Sequence, residues 1–331
     1  MLRVGLIGCG FMGTMHANCY KNIEGVEIVA LADIRKEKAE ELKVGTNATV
    51  YGDGKELIEK AEVDVIDICL PTYLHAEYAL LAMEKVKYVF VEKPVTLTVK
   101  ESKALLKKQR ETGAEVQVGQ VIRFWDEYVE LQKIIENEKY GKVVNANFRR
   151  LSPRPTWGWN GWLLDTTLSG GAGQDLHIHD VDYVLSIFGK PCRFYTVRAN
   201  GGETNSYVNT VMQYCGKAVS VEGTWDLPAS HPFEASFRVV FEKAVVENAG
   251  GKFMLYTESG AEEIVIEKKE IAGEAFKGGN ISDLGGYYNE LVYFCDKAAK
   301  GEKIERATLA DAVESLNFVL DELSFKGCCD C

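Results

Sequence analysis

Two apolar runs of strand length, residues 2–7 and 26–32, enclose the segment Gly8-Cys9-Gly10-Phe11-Met12-Gly13 and a proline-free stretch from Met12 to Asn22. Three glycines spaced G-x-G-x-x-G between a strand and a helix restrict the chain to α/β folds built on a parallel sheet. Each glycine has its own reason to be there. Gly8 allows the tight turn, Gly10 lets the backbone approach a pyrophosphate, and Gly13 lets the helix pack on the strand. The helix start offers unpaired N–H groups and the positive end of its dipole to phosphate oxygens. Asp33 closes the second run, twenty positions after Gly13. A carboxylate there accepts hydrogen bonds from an adenosine ribose and repels a 2′-phosphate. Arg35 pulls the other way, because it can pair with such a phosphate. The expectation is a dinucleotide site that takes NAD in preference to NADP, with Phe11, Met12, Ile34 and Arg35 at its edge.

The alternation of elements continues after Asp33. Helical spacing of Glu and Lys covers 36–43, a short extended piece follows near 48–51, and a helix is expected over 55–60. Residues 63–70 read as a strongly apolar strand that ends on Pro71-Thr72, and 74–85 as a helix. Tyr88-Val89-Phe90-Val91 forms the next buried strand and delivers Glu92-Lys93-Pro94, with a helix over 99–112 and a strand over 115–119 after it. Strands alternating with helices predict a doubly wound parallel sheet. Beyond Arg123 the period changes. After a helix over 127–138 and an extended stretch over 142–151, residues 217–226 and 233–242 alternate apolar and polar side chains. Further strands fall at 252–257 and 262–267. Two helices, 287–300 and 308–323, close the chain, the second opened by a Thr308-x-x-Asp311 cap. The fold class is therefore α/β, with a Rossmann domain over 1–123 and a second α/β domain over 124–331 built on a large, mostly antiparallel open sheet.

A net charge of −11 argues against nucleic acid or an anionic membrane as a partner. No run approaches the roughly 20 apolar residues of a membrane span, and the N-terminus enters a strand at once rather than a signal peptide, so a cytoplasmic protein is expected. Nine cysteines suit that compartment. Cys9, Cys19, Cys69, Cys192, Cys215 and Cys295 are expected as small buried hydrophobes, and the tail Cys328-Cys329-Asp330-Cys331 as a frayed end without metal.

Three pieces carry chemistry beyond the glycine loop. Lys93, at a strand end facing the cofactor, can stabilise a developing alkoxide; the bland reading is a solvated lysine. Pro94 after it is a candidate for a cis peptide bond. In Gly170-Gly171-Ala172-Gly173-Gln174-Asp175-Leu176-His177-Ile178-His179 the helical period places Asp175 and His179 on one face, able to converge on one substrate. His177 points away and suits a structural role. The third piece, 153–165, holds Trp157, Trp159, Asn160 and Trp162 with Arg154 beside them. Indoles pack on sugar rings and Asn or Arg bonds hydroxyls, but a loop that closes the core or an oligomer contact reads the same way. Arg123 joins Trp157, Asn160 and Trp162 as an expected substrate contact.

Taken together, Gly8-x-Gly10-x-x-Gly13, Asp33, Pro71-Thr72-x-x-His75-Ala76, Glu92-Lys93-Pro94 and Gly170-Gly171-x-Gly173-x-Asp175-x-x-x-His179 resemble the glucose–fructose oxidoreductase, inositol dehydrogenase and MocA family over nearly the whole chain. The resemblance implies pyridine-nucleotide oxidoreduction of a sugar or polyol. It makes Lys93, Asp175 and His179 the catalytic set, and it adds Pro71, Thr72, His75 and Glu92 to the cofactor side. It also implies a homo-oligomer, a tetramer or a dimer, formed through an apolar face of the large sheet. Thr72 stands where many relatives have Asn, and the tryptophans match no substrate signature. The expected reaction is hydride transfer from a secondary hydroxyl of a sugar or inositol-like cyclic polyol, with His179 as general base. The alternatives are a glycoside-cleaving relative that oxidises transiently, and an NAD-binding sensor without catalysis.

Overall fold

The computed structural model describes residues 1–199, 206–267, 271 and 284–324. The terminal cysteine cluster at 328–331 lies outside them. Contacts divide the chain into two compact units. One holds Met1–Phe124 with the described residues of 269–314, and the other holds the described residues of 125–268 and 315–324.

The first unit is built on strands β1 (Leu2–Ile7), β2 (Val26–Ala32), β3 (Thr49–Tyr51), β4 (Val65–Ile68), β5 (Tyr88–Val91) and β6 (Glu115–Val118). Between them run helices α1 (Phe11–Tyr20), α2 (Lys36–Lys43), α3 (Gly54–Lys60), α4 (Thr72–Lys85) and α5 (Val99–Thr112). All six strands are parallel in the order β3-β2-β1-β4-β5-β6. Every residue of β4 and β5 is buried. Helices cover both faces of such a sheet, which is why these strands read as continuous apolar runs. Strand order reverses between β1 and β4, so loops leaving the carboxyl ends of these two strands flank the switch point where ligands bind in open α/β sheets. α5 carries a capping box, Thr98 with Glu101, and ends on Gly113 in a left-handed conformation.

The second unit begins with α6 (Asp126–Glu136), β7 (Val143–Pro153), α7 (Thr166–Ser169) and α8 (Ile178–Phe188). It continues through β8 (Arg193–Ala199), β9 (Tyr207–Tyr214), β10 (Lys217–Leu227), β11 (Glu234–Phe241), β12 (Ala244–Ala249), β13 (Lys252–Thr257) and β14 (Gly260–Glu263). These eight strands form one sheet in the order β14-β13-β12-β11-β7-β10-β9-β8. Only the β7–β10 pair among them is parallel. One face is buried through Phe148, Val219, Val221, Val239 and Val246. On it the ring of Tyr128 from α6 meets Tyr183 of α8 edge-on at 4.9 Å and Phe237 of β11 at 5.1 Å.

The other face corrects the expectation of an apolar surface. Tyr195, Val197, Val211 and Tyr256 are exposed there. Polar ladders interrupt them: Asn147 Nδ2 donates to Ser220 Oγ at 2.7 Å, and Arg149 pairs with Glu222 and Glu234, both at 3.1 Å. The buried-cysteine expectation also needs amending. Cys9, Cys19, Cys69 and Cys295 are buried, but Cys192 and Cys215 are exposed near the β8–β9 hairpin. Burial pushes the thiols of Cys9 and Cys19 up to about 12, which keeps them protonated and inert at neutral pH.

The first unit's main segment ends at Phe124, and the helices α9 (Gly285–Lys300) and α10 (Leu309–Ser324) return toward earlier elements. The apolar stripe of α9 explains why. Leu291 and Phe294 are fully buried, Phe294 packs edge-on against Phe90 of β5 at 5.5 Å, and Asn289 donates to the Phe124 carbonyl at 3.2 Å. Next to β6 the backbone N–H of Val118 donates to the Ala307 carbonyl at 2.9 Å, which occupies part of that sheet edge. The expected Thr308–Asp311 cap is present, with reciprocal bonds of 3.0 and 3.1 Å. α10 crosses the boundary between Glu314 and Ser315. No described helix is long and apolar enough to cross a membrane.

The costliest groups in the second unit are charged. Arg150 Nε donates to Asp180 at 2.7 Å with both side chains almost wholly buried, and Trp125 lies under the guanidinium at 5.4 Å. Removing one partner leaves the other buried and uncompensated. Asp180→Ala should therefore lower unfolding stability by about 3–5 kcal/mol, measured by urea denaturation. A loss below about 1 kcal/mol, the range of an exposed pair, would show that Arg150 reaches water.

Candidate active site

In the first unit the glycine loop leaves β1 with Gly8 at φ +94°, and a methyl group there would overlap the backbone carbonyl of Cys69 at the end of β4. A methyl group on Gly13 would overlap the carbonyl oxygen of Gly8, so α1 can approach β1 this closely only without a Cβ at 13. Gly10 differs. A Cβ there would meet only Arg35, at 3.6 Å, so its absence serves the open side of the loop rather than the protein's own packing. No side chain caps α1. These features fit a pyrophosphate held on the helix N-terminus.

Asp33, at the carboxyl end of β2, is buried. One of its carboxylate oxygens accepts the N–H of Cys9 at 2.8 Å and the other the N–H of Arg35 at 2.8 Å. The Arg35 guanidinium folds back to 3.3 Å from the same carboxylate. Asp33 thus braces the glycine loop, while Ile34 beside it is exposed. Pro71 and Thr72 open α4 at the end of β4. The hydroxyl of Thr72 is buried and has no partner among the described residues. Such an orphan next to the switch point is what a ligand-facing group looks like before its ligand binds.

His75 behaves otherwise than expected of a cofactor contact. It is buried, with one ring nitrogen 2.8 Å from the Pro94 carbonyl and the other 2.7 Å from the Leu70 carbonyl. Burial lowers its pKa, and the two carbonyls pull the other way. Its place is to tie α4 to the turn after β5. That turn carries Glu92, buried, and Lys93, followed by a cis Lys93–Pro94 bond. Arg123, in a single 3-10 turn (Val121–Phe124), is also buried and donates to Asp311 at 3.2 Å.

Two buried groups that the sequence did not single out belong to the same unit. Gln120, just past β6, has both side-chain polar atoms buried and without a partner among the described residues. His16 on α1, three residues after Gly13, is fully buried beside Asp67 and Cys69, and the three could hold a metal ion. Nothing in their spacing signals this, because they come together only when α1 packs on β4.

In the second unit Gly170 and Gly171 adopt φ of +76° and +70°, the first ending α7. The next residues depart from the expected regular helix. Gly173–His177 forms a π turn that feeds α8, and because such a turn takes more residues per revolution, Asp175 and His179 do not keep the relative angle of α-helical spacing. Asp175 is half-buried and His179 is buried. The opposite side of this segment is anchored. Asp180 pairs with Arg150, Asp182 accepts from Ser315 at 2.8 Å, and His177 faces Glu322 at 3.4 Å. His177 is fully buried, and Gly223 on β10 makes room for it, since a Cβ there would come within 2.9 Å. In the tryptophan-rich segment Trp157 and Trp159 are exposed, Trp162 is half-buried, and Asn160 has φ +53°. These indoles do not close the core.

Comparison with known proteins agrees with this geometry. The model of the oxidoreductase family with an NAD-binding Rossmann fold matches residues 2–120, and that of the GFO/IDH/MocA C-terminal domain matches residues 128–247. Myo-inositol 2-dehydrogenase of Thermotoga maritima is 31% identical over 192 residues, 57% of this chain and 55% of that protein. D-glucoside 3-dehydrogenase of Escherichia coli is 28% identical over 238 residues, 71% of this chain and 65% of that protein. The chain thus spans little more than half the length of the first of these relatives. A levoglucosan dehydrogenase solved with NADH and levoglucosan superposes with a TM-score of 0.84 at 21% identity, covering 97% of this chain and 96% of that one. With both domains matched by its models, the chain belongs to the GFO/IDH/MocA oxidoreductase family, whose first domain is an NAD-binding Rossmann fold.

Proposed function

We propose that this chain is an NAD-dependent dehydrogenase that oxidises a secondary hydroxyl of a sugar or inositol-like cyclic polyol. The observation that carries the reading is the position of Lys93. Its turn leaves β5 at the same end of the parallel sheet at which the glycine loop leaves β1 and Asp33 ends β2. A charged amine at that end of the sheet can attract the cofactor and, beyond binding, stabilises an alkoxide as a hydroxyl loses its proton. Relatives named for inositol and glucoside oxidation support the substrate class. Bound NAD supplies the hydride acceptor.

Within this reading Pro71, Thr72 and the glycine loop hold the cofactor, Lys93 steadies the alkoxide, and His179 takes the hydroxyl proton. Asp175 orients substrate and histidine. Trp157 and Trp162 pack on the ring of the substrate, while Asn160 and Arg123 bond its hydroxyls, the latter held in direction by Asp311. Residues 1–123 serve the cofactor, and the large sheet serves the substrate and a second copy of the chain. A panel of cyclic polyols, aldoses and sugar derivatives with NAD, read as NADH formation, tests the whole assignment.

Cofactor choice depends on the balance of Asp33 against Arg35. Wild-type kcat/KM should favour NAD over NADP. Asp33→Asn, which keeps the shape but removes the charge, should shrink that preference by about tenfold or more, since hydrogen bonds to charged groups contribute about 1.5–3 kcal/mol. Equal or better use of NADP by the wild type would show that Arg35 dominates.

Proton transfer gives a second test. A general base typically contributes about 10²–10⁴-fold in rate. His179→Ala should lower kcat by that order, leave NAD affinity nearly intact and remove the acidic limb of the pH–rate profile. Lys93→Ala should lower kcat and keep the limb. The reverse pattern would make Lys93 the base.

The exposed side of the large sheet is the proposed contact between copies. Sedimentation at micromolar concentration should show a dimer or tetramer, and Val211→Glu, which puts a charge between Tyr195, Val197 and the polar ladders, should dissociate it. A wild-type monomer would overturn this assignment.

A further inference from the structure

The turn that carries Lys93 adjoins a set of buried polar groups that neither phosphate binding nor proton transfer uses. His16 Nδ1 lies 2.8 Å from Asp67 Oδ2 and 3.2 Å from Cys69 Sγ. His16 Nε2 lies 3.0 Å from Glu92 Oε1, at ion-pair distance but off the line of a good hydrogen bond. Tyr20 donates to the same Asp67 oxygen at 2.9 Å. The other oxygen of Glu92 accepts the main-chain N–H of Lys93 at 3.1 Å. Gly119 gives the carboxylate space, because a Cβ there would come within 2.9 Å of it.

A metal centre at His16, Asp67 and Cys69 fits this arrangement poorly. Their closest separations are those of hydrogen bonds, and Asp67 Oδ2 already receives a hydroxyl proton from Tyr20. Carboxylate oxygens instead face both ring nitrogens of His16. One ring nitrogen is hydrogen-bonded to Asp67 and the other stands at ion-pair distance from Glu92, so two buried carboxylates flank the ring, an arrangement that favours its positive form. Burial alone would lower its pKa, but the hydrogen-bonded Asp67 carboxylate opposes burial and holds it well above the usual value. The other titratable neighbours leave that charge in place. Burial and the proximity of Glu92 raise Glu290 of α9, so it stays protonated, although His16 and, less, Arg306 pull it down. Tyr20, Cys19, Cys69 and Cys295 are raised chiefly by burial and stay neutral.

We propose that His16 is a positioning residue for Lys93. Its imidazolium holds the Glu92 carboxylate, and that carboxylate holds the Lys93 main chain, so the lysine meets its substrate from a fixed backbone. The helix that binds phosphate thereby also sets the geometry of the group that stabilises the alkoxide. This inference rests on the role proposed above for Lys93, and its test separates the two.

Hydrogen exchange at the Lys93 amide, followed in the full-length protein without substrate, reads the hold directly. Exchange should rise about tenfold in His16→Ala, the change expected for losing about 1.4 kcal/mol of hydrogen bonding, while amides of α5 stay unchanged. In the same variant kcat per folded enzyme should fall by about 10–100-fold, the scale of a misplaced reacting group, with the dissociation constant for NAD within about twofold of wild type. Glu92→Gln keeps an oxygen for the Lys93 N–H and loses the charge. It should show a smaller rise in exchange, and the His16→Ala/Glu92→Gln double variant should recover part of the kcat lost in His16→Ala, because no unpaired carboxylate is left buried. Unchanged Lys93 exchange in His16→Ala, or in Glu92→Gln should His16→Ala not fold, overturns the proposal. So does an unchanged kcat. A wild type that oxidises no sugar or polyol sinks the functional reading instead, and the exchange rates then decide the hold on Lys93 alone.

Discussion

The first unit depends on one close approach, that of α1 to β1 at Gly13. With no Cβ at that position the helix axis comes near enough for the Gly8 carbonyl to fill the space a side chain would take. Everything else about α1 follows. Its uncapped N-terminus is aimed at the switch point between β1 and β4, and its second and third turns bring His16 and Tyr20 against Asp67. A larger residue at 13 would shift the start of α1 and the buried polar cluster together. The same contact thus governs both the open N-terminus of α1 and the polar cluster at His16.

The second unit solves a different problem, that of holding an irregular turn still. A π turn has poorer hydrogen-bond geometry than an α-helix and is retained mainly where it serves a purpose. Around Gly173–His177 the structure places three polar anchors on the far side of the chain: Asp180 on Arg150, Asp182 on Ser315, and His177 by Glu322. Burying so many charged groups contributes little net stability, since desolvation offsets much of the attraction. Their effect is on geometry, because each has only one place in which its partner is satisfied.

Much of this was legible from residue patterns, and the failures have physical causes. The six-stranded parallel sheet could be read because strands buried on both faces are apolar runs bounded by glycine loops and helix caps. β8, β9 and β12 could not, because their outer faces mix residues such as Tyr195, Val197 and Asn209, which blurs the period of two. The glycine loop, Asp33 and Lys93 were visible because each sits beside a strand end. His16 and Gln120 were not, since a lone polar residue in a helix or loop gives no hint that packing will bury it. The π turn was hidden for a related reason: Asp175 and His179 have the spacing of a regular helix, and only the tertiary anchors reveal the wider turn. Likewise the return of α9 to the first unit is invisible in an amphipathic pattern, which shows that a face is buried but not against what.

The path of the chain through the two units has a consequence for how the molecule is made. The first unit draws on residues at both ends of the sequence, since Phe90 awaits Phe294 and the N–H of Val118 awaits the carbonyl of Ala307. The second awaits Ser315 and Glu322 to satisfy Asp182 and His177. A nascent chain stalled before α9 therefore has neither core complete, even though every strand of both sheets has been synthesised. Such long-range closure slows folding relative to local contacts and prolongs the exposure of unfinished surfaces. The helices α9 and α10, rather than either sheet, thus supply the contacts that complete both units.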